Sequence, residues 1–179
     1  MIRWLGGPLR ASVRALAGLT RAGVVAAMLV VLASTLGQVA DRHVFKSGFG
    51  AFDQYGRLGL VWLTFLGIAI AVRERANIRI DLADHFLPPR IVQAKGVVLD
   101  LVMAGIAVTL VVVGWRLLEV GSFQVIMDTP FSYGDVYAAL LLGMAVLTAF
   151  VLMRLLDQAM GGRLGVDMPP ASEGMHAPD

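Results

Sequence analysis

Hydrophobic positions are concentrated in four long runs, separated by segments rich in charged and turn-forming residues. A helix rises about 1.5 Å per residue, so eighteen residues cover about 27 Å of the roughly 30 Å hydrocarbon core of a bilayer. The pattern predicts an all-α membrane protein with four transmembrane helices. The predicted spans are residues 23–40, 55–72, 96–118 and 136–153.

The second run is free of charge only over Leu58–Val72, which as a helix covers about 22 Å and is short for a span. Including Tyr55 lengthens the run, provided that Arg57 extends its guanidinium group outward to the membrane surface. The predicted second span therefore begins near residue 55.

Three residues inside the second span are candidates for helix–helix contact. Trp62 and Phe65 lie far from its ends, so we expect them to pack within the bundle or to face a partner. Gly67 and Ala71 form a small-x-x-x-small pair, which permits the close approach of another helix.

The composition agrees with a membrane protein. Hydrophobic residues make up 58% of the 179 positions, charged residues 16%, and the mean hydropathy is +0.75. A chain without cysteine has neither disulfides nor thiolate metal ligands. The pI near 9.4 does not indicate nucleic-acid binding, because the basic residues flank the apolar runs instead of covering one polar face.

The distribution of arginine and lysine predicts the orientation of the bundle. Eleven of these residues lie in the two terminal segments and in the connection between the second and third spans, against four in the other two loops. By the positive-inside rule, both termini are predicted to be cytoplasmic. The larger group is Arg3, Arg10, Arg14, Arg21, Arg73, Arg75, Arg79, Arg90, Lys95, Arg154 and Arg163, and the smaller is Arg42, Lys46, Arg57 and Arg116.

The segment before the first span has a helical pattern of its own. Arg10, Arg14 and Arg21 share one narrow stripe, with Leu9 and Val13 roughly opposite. This indicates an amphipathic helix in the cytoplasmic interface, with its arginines facing phospholipid headgroups. A charged, partly ordered tail is the alternative. More than twenty residues precede the apolar run, which favours an uncleaved first span over a signal peptide.

The connection between the second and third spans alternates apolar and charged residues over Ile78–Leu82, as a β-strand would. A lone strand at the membrane surface would have no partner for its backbone. We therefore predict a short amphipathic helix that begins near Asn77 and ends at Pro88. Residues 159–179 are rich in glycine and proline and are predicted to be a disordered tail, following a single domain over residues 1–158.

The spans carry little reactive chemistry. The three histidines lie in loops or in the tail, so no span supplies a haem ligand, and no hydroxyl lies beside a base at helical spacing. We expect no enzymatic activity, no metal and no cofactor.

Asp100 is the one ionisable residue clearly inside a hydrophobic run, about one helical turn past Lys95. An ion pair with Arg73, Arg75 or Arg154, each at the cytoplasmic end of a span, is the favoured interpretation. The alternative is a coupling carboxylate in an autonomous small homo-oligomeric transporter or channel. A further alternative for the chain is the membrane anchor of a respiratory complex.

Three segments together carry a resemblance to a known family. They are Arg42-His43-Val44-Phe45, then Arg57 with Val61-Trp62-Leu63-Thr64-Phe65-Leu66-Gly67, then Arg73-Glu74-Arg75-Ala76-Asn77-Ile78-Arg79-Ile80-Asp81. Over residues 15–158 the chain resembles the small membrane subunit of tripartite ATP-independent periplasmic (TRAP) transporters, the DctQ-type family.

The resemblance implies a small, non-catalytic subunit in the bacterial inner membrane. It would scaffold a large DctM-type permease that carries the substrate and sodium sites, while a periplasmic binding protein delivers an organic acid. The loops at 42–57 and 119–135 would help to dock that binding protein. The residues implied as structural or interface positions, against the alternative of solvated charges at helix ends, are Arg42, Asp53, Arg57, Asn77, Arg79 and Asp81.

Overall fold

The computed structural model describes four long helices, and no strand occurs within the described residues, which are 6–46, 50–74 and 89–159. The bounds of the helices are α1 Gly6–Ala40, α2 Ala51–Arg73, α3 Pro89–Gly121 and α4 Tyr133–Ala159. Each helix contains a stretch long and apolar enough to cross a membrane, which confirms the prediction of four spans. The direction in which the bundle crosses the membrane stays a prediction.

The helices are longer than the apolar runs that predicted them. The first extends over 35 residues and continues directly into a π-helix, Asp41–Phe45. The part of α1 before the predicted span is rich in Arg, Ala and Leu, which are strong helix formers, so the helix begins well before the apolar run. The amphipathic stretch around Arg10 and Arg14 is the first part of α1, so the predicted interfacial helix is not a separate element.

Helix contacts occur in the order α1–α2–α4–α3. Consecutive helices run antiparallel, and α2 and α4 run parallel. Of the apolar stretch of α4, 39% is buried, compared with 17–22% in the other three helices. The fourth helix is therefore the centre of the bundle, with α2 and α3 packed on different sides of it.

Two glycines allow the helices to pack closely at the main interfaces of α2, one with α1 and one with α4. A Cβ at Gly59 would lie 3.3 Å from the backbone oxygen of Ala27 on α1. A Cβ at Gly143 on α4 would lie 2.8 Å from backbone atoms of Phe65 on α2. Such close approach is how membrane helices gain packing energy in a lipid solvent that gives no hydrophobic driving force.

The buried core is small and lies in two clusters. The first joins α2, α3 and α4, and the second joins the start of α1 to Phe150 on α4. Most other apolar side chains face outward, as a membrane-embedded surface requires. The first cluster consists of Ala69, Val72, Ala104, Ala107, Met144, Leu147 and Val151, and the second of Val13, Ala17 and Phe150.

The two ends of the bundle differ. The arginine-rich end is where α1 and α3 begin and α2 and α4 end. The hairpin end carries the connection between α3 and α4, in which Val125 and Ser132 form an isolated β-bridge. There Asp135 accepts a hydrogen bond from the backbone N–H of Ser132 over 2.8 Å, which caps α4 at its first turn.

Candidate functional site

A buried ion pair joins α3 and α4 at the arginine-rich end. Nη1 of Arg154 donates a hydrogen bond to Oδ1 of Asp100 over 3.0 Å, and the side chains are 7% and 2% exposed, respectively. Either charge alone would be costly to bury, so each is retained because the other is present. Of the three partners proposed for Asp100, the structure places Arg154 beside it.

The same guanidinium also reaches α2. Its second terminal nitrogen, Nη2, donates to the backbone oxygen of Val72 in the last turn of that helix. Arginine can hold two acceptors at once because its donors form a rigid planar fork. One side chain of α4 therefore fixes the ends of both α2 and α3.

Further polar groups near this end are also engaged. Asp157, three residues after Arg154, is 3% exposed. Within the described part of the chain, every buried side-chain nitrogen or oxygen has a hydrogen-bond partner. The buried polar side chains of this part of the chain are thus all satisfied, as those of a structural core are.

The other arginines at this end have different partners. Arg73 lies over the ring of Phe150, with its guanidinium carbon 5.5 Å from the ring centroid, within the range of a cation–π contact. Arg21 on α1 pairs with Glu74 just after α2, at 2.5 Å. Arg75, the third partner proposed for Asp100, lies outside the described residues.

The arginines predicted to lie at the membrane surface are not equivalent. All three are exposed on α1, and Arg21 pairs with the carboxylate of Glu74. On the neighbouring face, Val13 and Ala17 pack against Phe150 instead of facing outward. One face of the first turns of α1 is thus anchored to the protein.

The candidates on α2 separate into packing and outward-facing residues. Phe65 packs on Gly143, and Trp62 is half-buried. A Cβ added to Gly67 would meet no atom within 4 Å, so this glycine opens outward. Asp53 and Arg57 form an exposed i,i+4 ion pair at 2.8 Å, near the hairpin end.

A cleft of about 510 Å³ lies at the hairpin end, beside the π-helix. Arg42 and Lys46 supply its positive charge, and Asp41 is the acidic residue of its lining. The ring Nδ1 of His43 is 3.0 Å from the backbone oxygen of Val39, and Lys46 has a left-handed backbone with φ of 50°. A π-helix and a non-glycine residue at positive φ are both features that occur often at functional positions.

Large apolar side chains surround this end. Phe45 follows the cleft residues on the π-helix and is 73% exposed. In the hairpin connection, Phe123 is 87% and Met127 81% exposed. The ring of Phe131 contacts that of Tyr55 on α2 edge-to-face, with centroids 6.0 Å apart, which ties the connection to the bundle.

Some predictions fall outside the described residues. These are the connector helix with its three candidate positions, and the tail after residue 159. The candidate positions concerned are Asn77, Arg79 and Asp81.

The sequence reasoning missed two carboxylates near the arginine-rich end, the ion-paired Glu74 and the buried Asp157. Glu74 lies within a cluster of arginines, and in the sequence this cluster indicates only the topology. Asp157 follows the last predicted span, and its spacing of three from Arg154 could have marked it as a neighbour on the same helical face.

The described geometry defines a multi-pass helical membrane protein with its buried charges engaged in internal contacts. The family model described as "Tripartite ATP-independent periplasmic transporters, DctQ component" matches residues 31–161, which is more than half of the chain. The chain therefore belongs to the family of DctQ components of TRAP transporters, which confirms the resemblance.

One curated relative is similar over part of its length. It is the isethionate TRAP transporter permease protein DctMQ of Oleidesulfovibrio alaskensis, which is 22% identical over 105 residues. The match covers 58% of this chain and 16% of that protein. The chain thus spans less than a fifth of the length of the curated relative that it matches.

Proposed function

We propose that this chain is a non-catalytic scaffold subunit of a sodium-coupled, binding-protein-dependent transporter for organic acids in the bacterial inner membrane. Its partners are a large DctM-type permease and a periplasmic binding protein. The observation that carries the proposal is the family match over residues 31–161. The substrate and sodium ligands belong to the permease and the binding protein, so this chain does not determine which acid is carried.

The internal ties support a scaffold. Arg154 connects the ends of three helices, Glu74 ties α2 to α1, and Gly143 brings the backbones of α2 and α4 together. A subunit that braces a moving permease has to resist deformation itself. Multiple contacts between the same few helices provide that resistance.

The environment of Asp100 favours the scaffold over an autonomous carrier. A coupling carboxylate has to exchange a proton or an ion with water, and such groups line water-filled paths within membranes. The side chain of Asp100 is instead 2% exposed and hydrogen-bonded to Arg154. This arrangement is that of a structural ion pair.

The hairpin end is the proposed docking region for the binding protein. In the orientation proposed from the arginine distribution, this end faces the periplasm and the arginine-rich end faces the cytoplasm. The cleft beside Arg42 and Lys46 supplies positive charge, and Phe123 and Met127 supply exposed apolar surface. Charge steers an encounter, and apolar anchors hold the complex.

Uptake measured in liposomes tests this function directly. Vesicles containing the permease, with and without this chain, receive the binding protein, a labelled organic acid and an inward sodium gradient. We expect uptake only when the chain is present, with no change in the affinity of the binding protein for its acid. Equal uptake without the chain would overturn the scaffold role. Uptake by the chain alone, abolished by Asp100→Asn, would establish the autonomous carrier instead.

A further inference from the structure

His43 lies on the π-helix and lines the cleft at the hairpin end. Its ring Nδ1 is 3.0 Å from the backbone oxygen of Val39. A carbonyl oxygen only accepts hydrogen bonds, so Nδ1 has to donate in this contact. The neutral ring is therefore held as the tautomer with its hydrogen on Nδ1 and its lone pair on Nε2.

Nε2 is the atom of this ring that is left to bind a proton. The side chain of His43 is exposed, and Nε2 has no hydrogen-bond partner within the described residues. Imidazole is the side chain whose charge ordinarily changes between about pH 5 and pH 8. Protonation at Nε2 retains the bond to Val39, because both ring nitrogens of an imidazolium are donors. The ring can thus change its charge without a rearrangement of the π-helix.

The lining of the cleft contributes charges of both signs around this ring. Arg42 and Lys46 are exposed cations, and Asp41 is an acidic residue that already has an interaction partner. The helix packed against the π-helix, α1, contributes only uncharged residues to the lining, and the residue before α2 is uncharged as well. These uncharged residues are Gln38, Val39 and Gly50.

A second carboxylate lies beside the cleft, on the connection between α3 and α4. Oδ2 of Asp128 would be 3.1 Å from a Cβ placed on Gly50, so this carboxylate lies against a residue of the lining. Asp128 reaches this position with a left-handed backbone, at φ of 63°. With Asp128 included, two positive and two negative charges surround the neutral ring of His43. The charge of the ring then decides whether this region is neutral or positive.

We propose that protonation of His43 controls the docking of the binding protein, so that the cleft attracts a carboxylate-bearing surface of that protein more strongly at acidic pH. The inference rests on the docking region proposed above and adds its regulation. One unit charge about 7 Å from an anionic group of the partner changes the encounter in water by about threefold. Such a charge acts mainly on the association rate.

The test measures the association rate of the binding protein with the complex in nanodiscs, at low ionic strength and at about pH 5.5 and about pH 8. The same binding protein is used throughout, so the titration of its own groups contributes equally to every variant. We expect the ratio of the acidic to the alkaline rate to be about threefold higher in the parent than in His43→Gln. His43→Arg should associate rapidly at both pH values, because its charge is permanent.

Asp128→Asn is the matched control. It removes a negative charge beside the same cleft and retains the imidazole, and asparagine tolerates a positive φ. It should raise the association rate at both pH values and leave the pH ratio of the parent unchanged. Loss of the pH ratio in Asp128→Asn would assign the titration to the carboxylate and would overturn the role of His43.

Two further outcomes separate this inference from the docking region itself. An equal pH ratio in the parent and in His43→Gln would overturn the regulation and leave the docking region in place. No association of the parent at either pH would overturn the docking region and, with it, the regulation.

The protonation of His43 also has a readout that does not depend on docking. Nitrogen NMR of the full chain, labelled at histidine in the variant His85→Gln/His176→Gln, reports on this ring alone. We expect the Nδ1–H tautomer at about pH 8 and the imidazolium at about pH 5.5. A neutral ring at the lower pH, or the opposite tautomer at the higher one, would overturn the inference.

Discussion

The guanidinium of Arg154 and the carboxylate of Asp100 are joined by a 3.0 Å hydrogen bond between α4 and α3, and both side chains are more than nine-tenths buried. The same guanidinium holds the backbone oxygen of Val72 on α2. In lipid, a charge on one helix can be neutralised by a charge on another, and this complementarity fixes the rotation of both helices about their axes. The pair therefore specifies how three helices meet at the arginine-rich end.

Removing one member of this pair should destabilise the subunit strongly. Asp100→Leu leaves a buried guanidinium without its counter-charge, and Arg154→Met leaves a buried carboxylate, so each should cost about 3–5 kcal/mol. The double variant Asp100→Leu/Arg154→Met should cost much less than the sum of the two. The measurement is the unfolding midpoint of the purified chain in detergent, analysed as a double-mutant cycle.

The double variant also separates a structural pair from a proton or ion relay. If the pair is structural, the double variant should assemble with the permease and support uptake. Additive single effects in the cycle would contradict a direct interaction. A stable, assembled double variant that does not support uptake would contradict a purely structural role.

The sequence narrows the partner of Asp100 to a few arginines at the cytoplasmic ends of the spans, but it does not identify Arg154 among them. A lone carboxylate near the end of a span has to be neutralised, and the positive-inside pattern placed Arg73 and Arg154 at the same level. The choice between them depends on the rotation of α2 and α4. Sequence periodicity does not give this rotation, because most faces of these helices are apolar.

The first part of α1 shows a second limit. Its arginines, together with Leu9 and Val13, predict an amphipathic helix at the membrane surface. The apolar side nevertheless packs on Phe150, about 135 positions later in the chain, instead of facing lipid. Amphipathicity shows that a face is covered, but it does not distinguish a lipid from a distant helix.

Two glycines of α2 and α4 should respond differently to the same substitution. Gly143→Val places atoms against the backbone of Phe65 and should separate the two helices, lowering stability by about 1–3 kcal/mol. The valine side chain in Gly67→Val would project into open space, so the stability of the isolated chain should stay close to that of the parent. Thermal unfolding of the two purified variants checks this difference.

Gly67→Val also tests whether the permease contacts α2 at this position. If the permease packs on this outward-facing position, Gly67→Val should weaken co-purification with the permease while the isolated chain stays stable. A variant that assembles as well as the parent would assign this face to lipid. Equal destabilisation of the isolated chain by both valine substitutions would contradict the packing described for Gly143.

The predicted orientation can be checked with single cysteines, since the chain has none of its own. Met127→Cys at the hairpin end should react with a membrane-impermeant maleimide added to whole cells with a permeabilised outer membrane. Ala11→Cys, exposed at the arginine-rich end, should react only after the inner membrane is opened. Labelling of Ala11→Cys in intact cells would place the amino terminus outside and reverse the proposed topology.

The cleft beside the π-helix should control how fast the binding protein associates. Arg42→Gln/Lys46→Gln removes two exposed cations from the proposed docking region and should lower the association rate several-fold at low salt, with little change in the dissociation rate. Surface plasmon resonance on the complex in nanodiscs measures both rates at several salt concentrations. Arg116→Gln, an exposed arginine on α3 near the same end, is the matched control and should have a much smaller effect. If Arg116→Gln lowers the association rate as much as the double variant does, the overall positive charge of this end steers the binding protein, not the cleft. If neither variant changes the rate, docking takes place elsewhere.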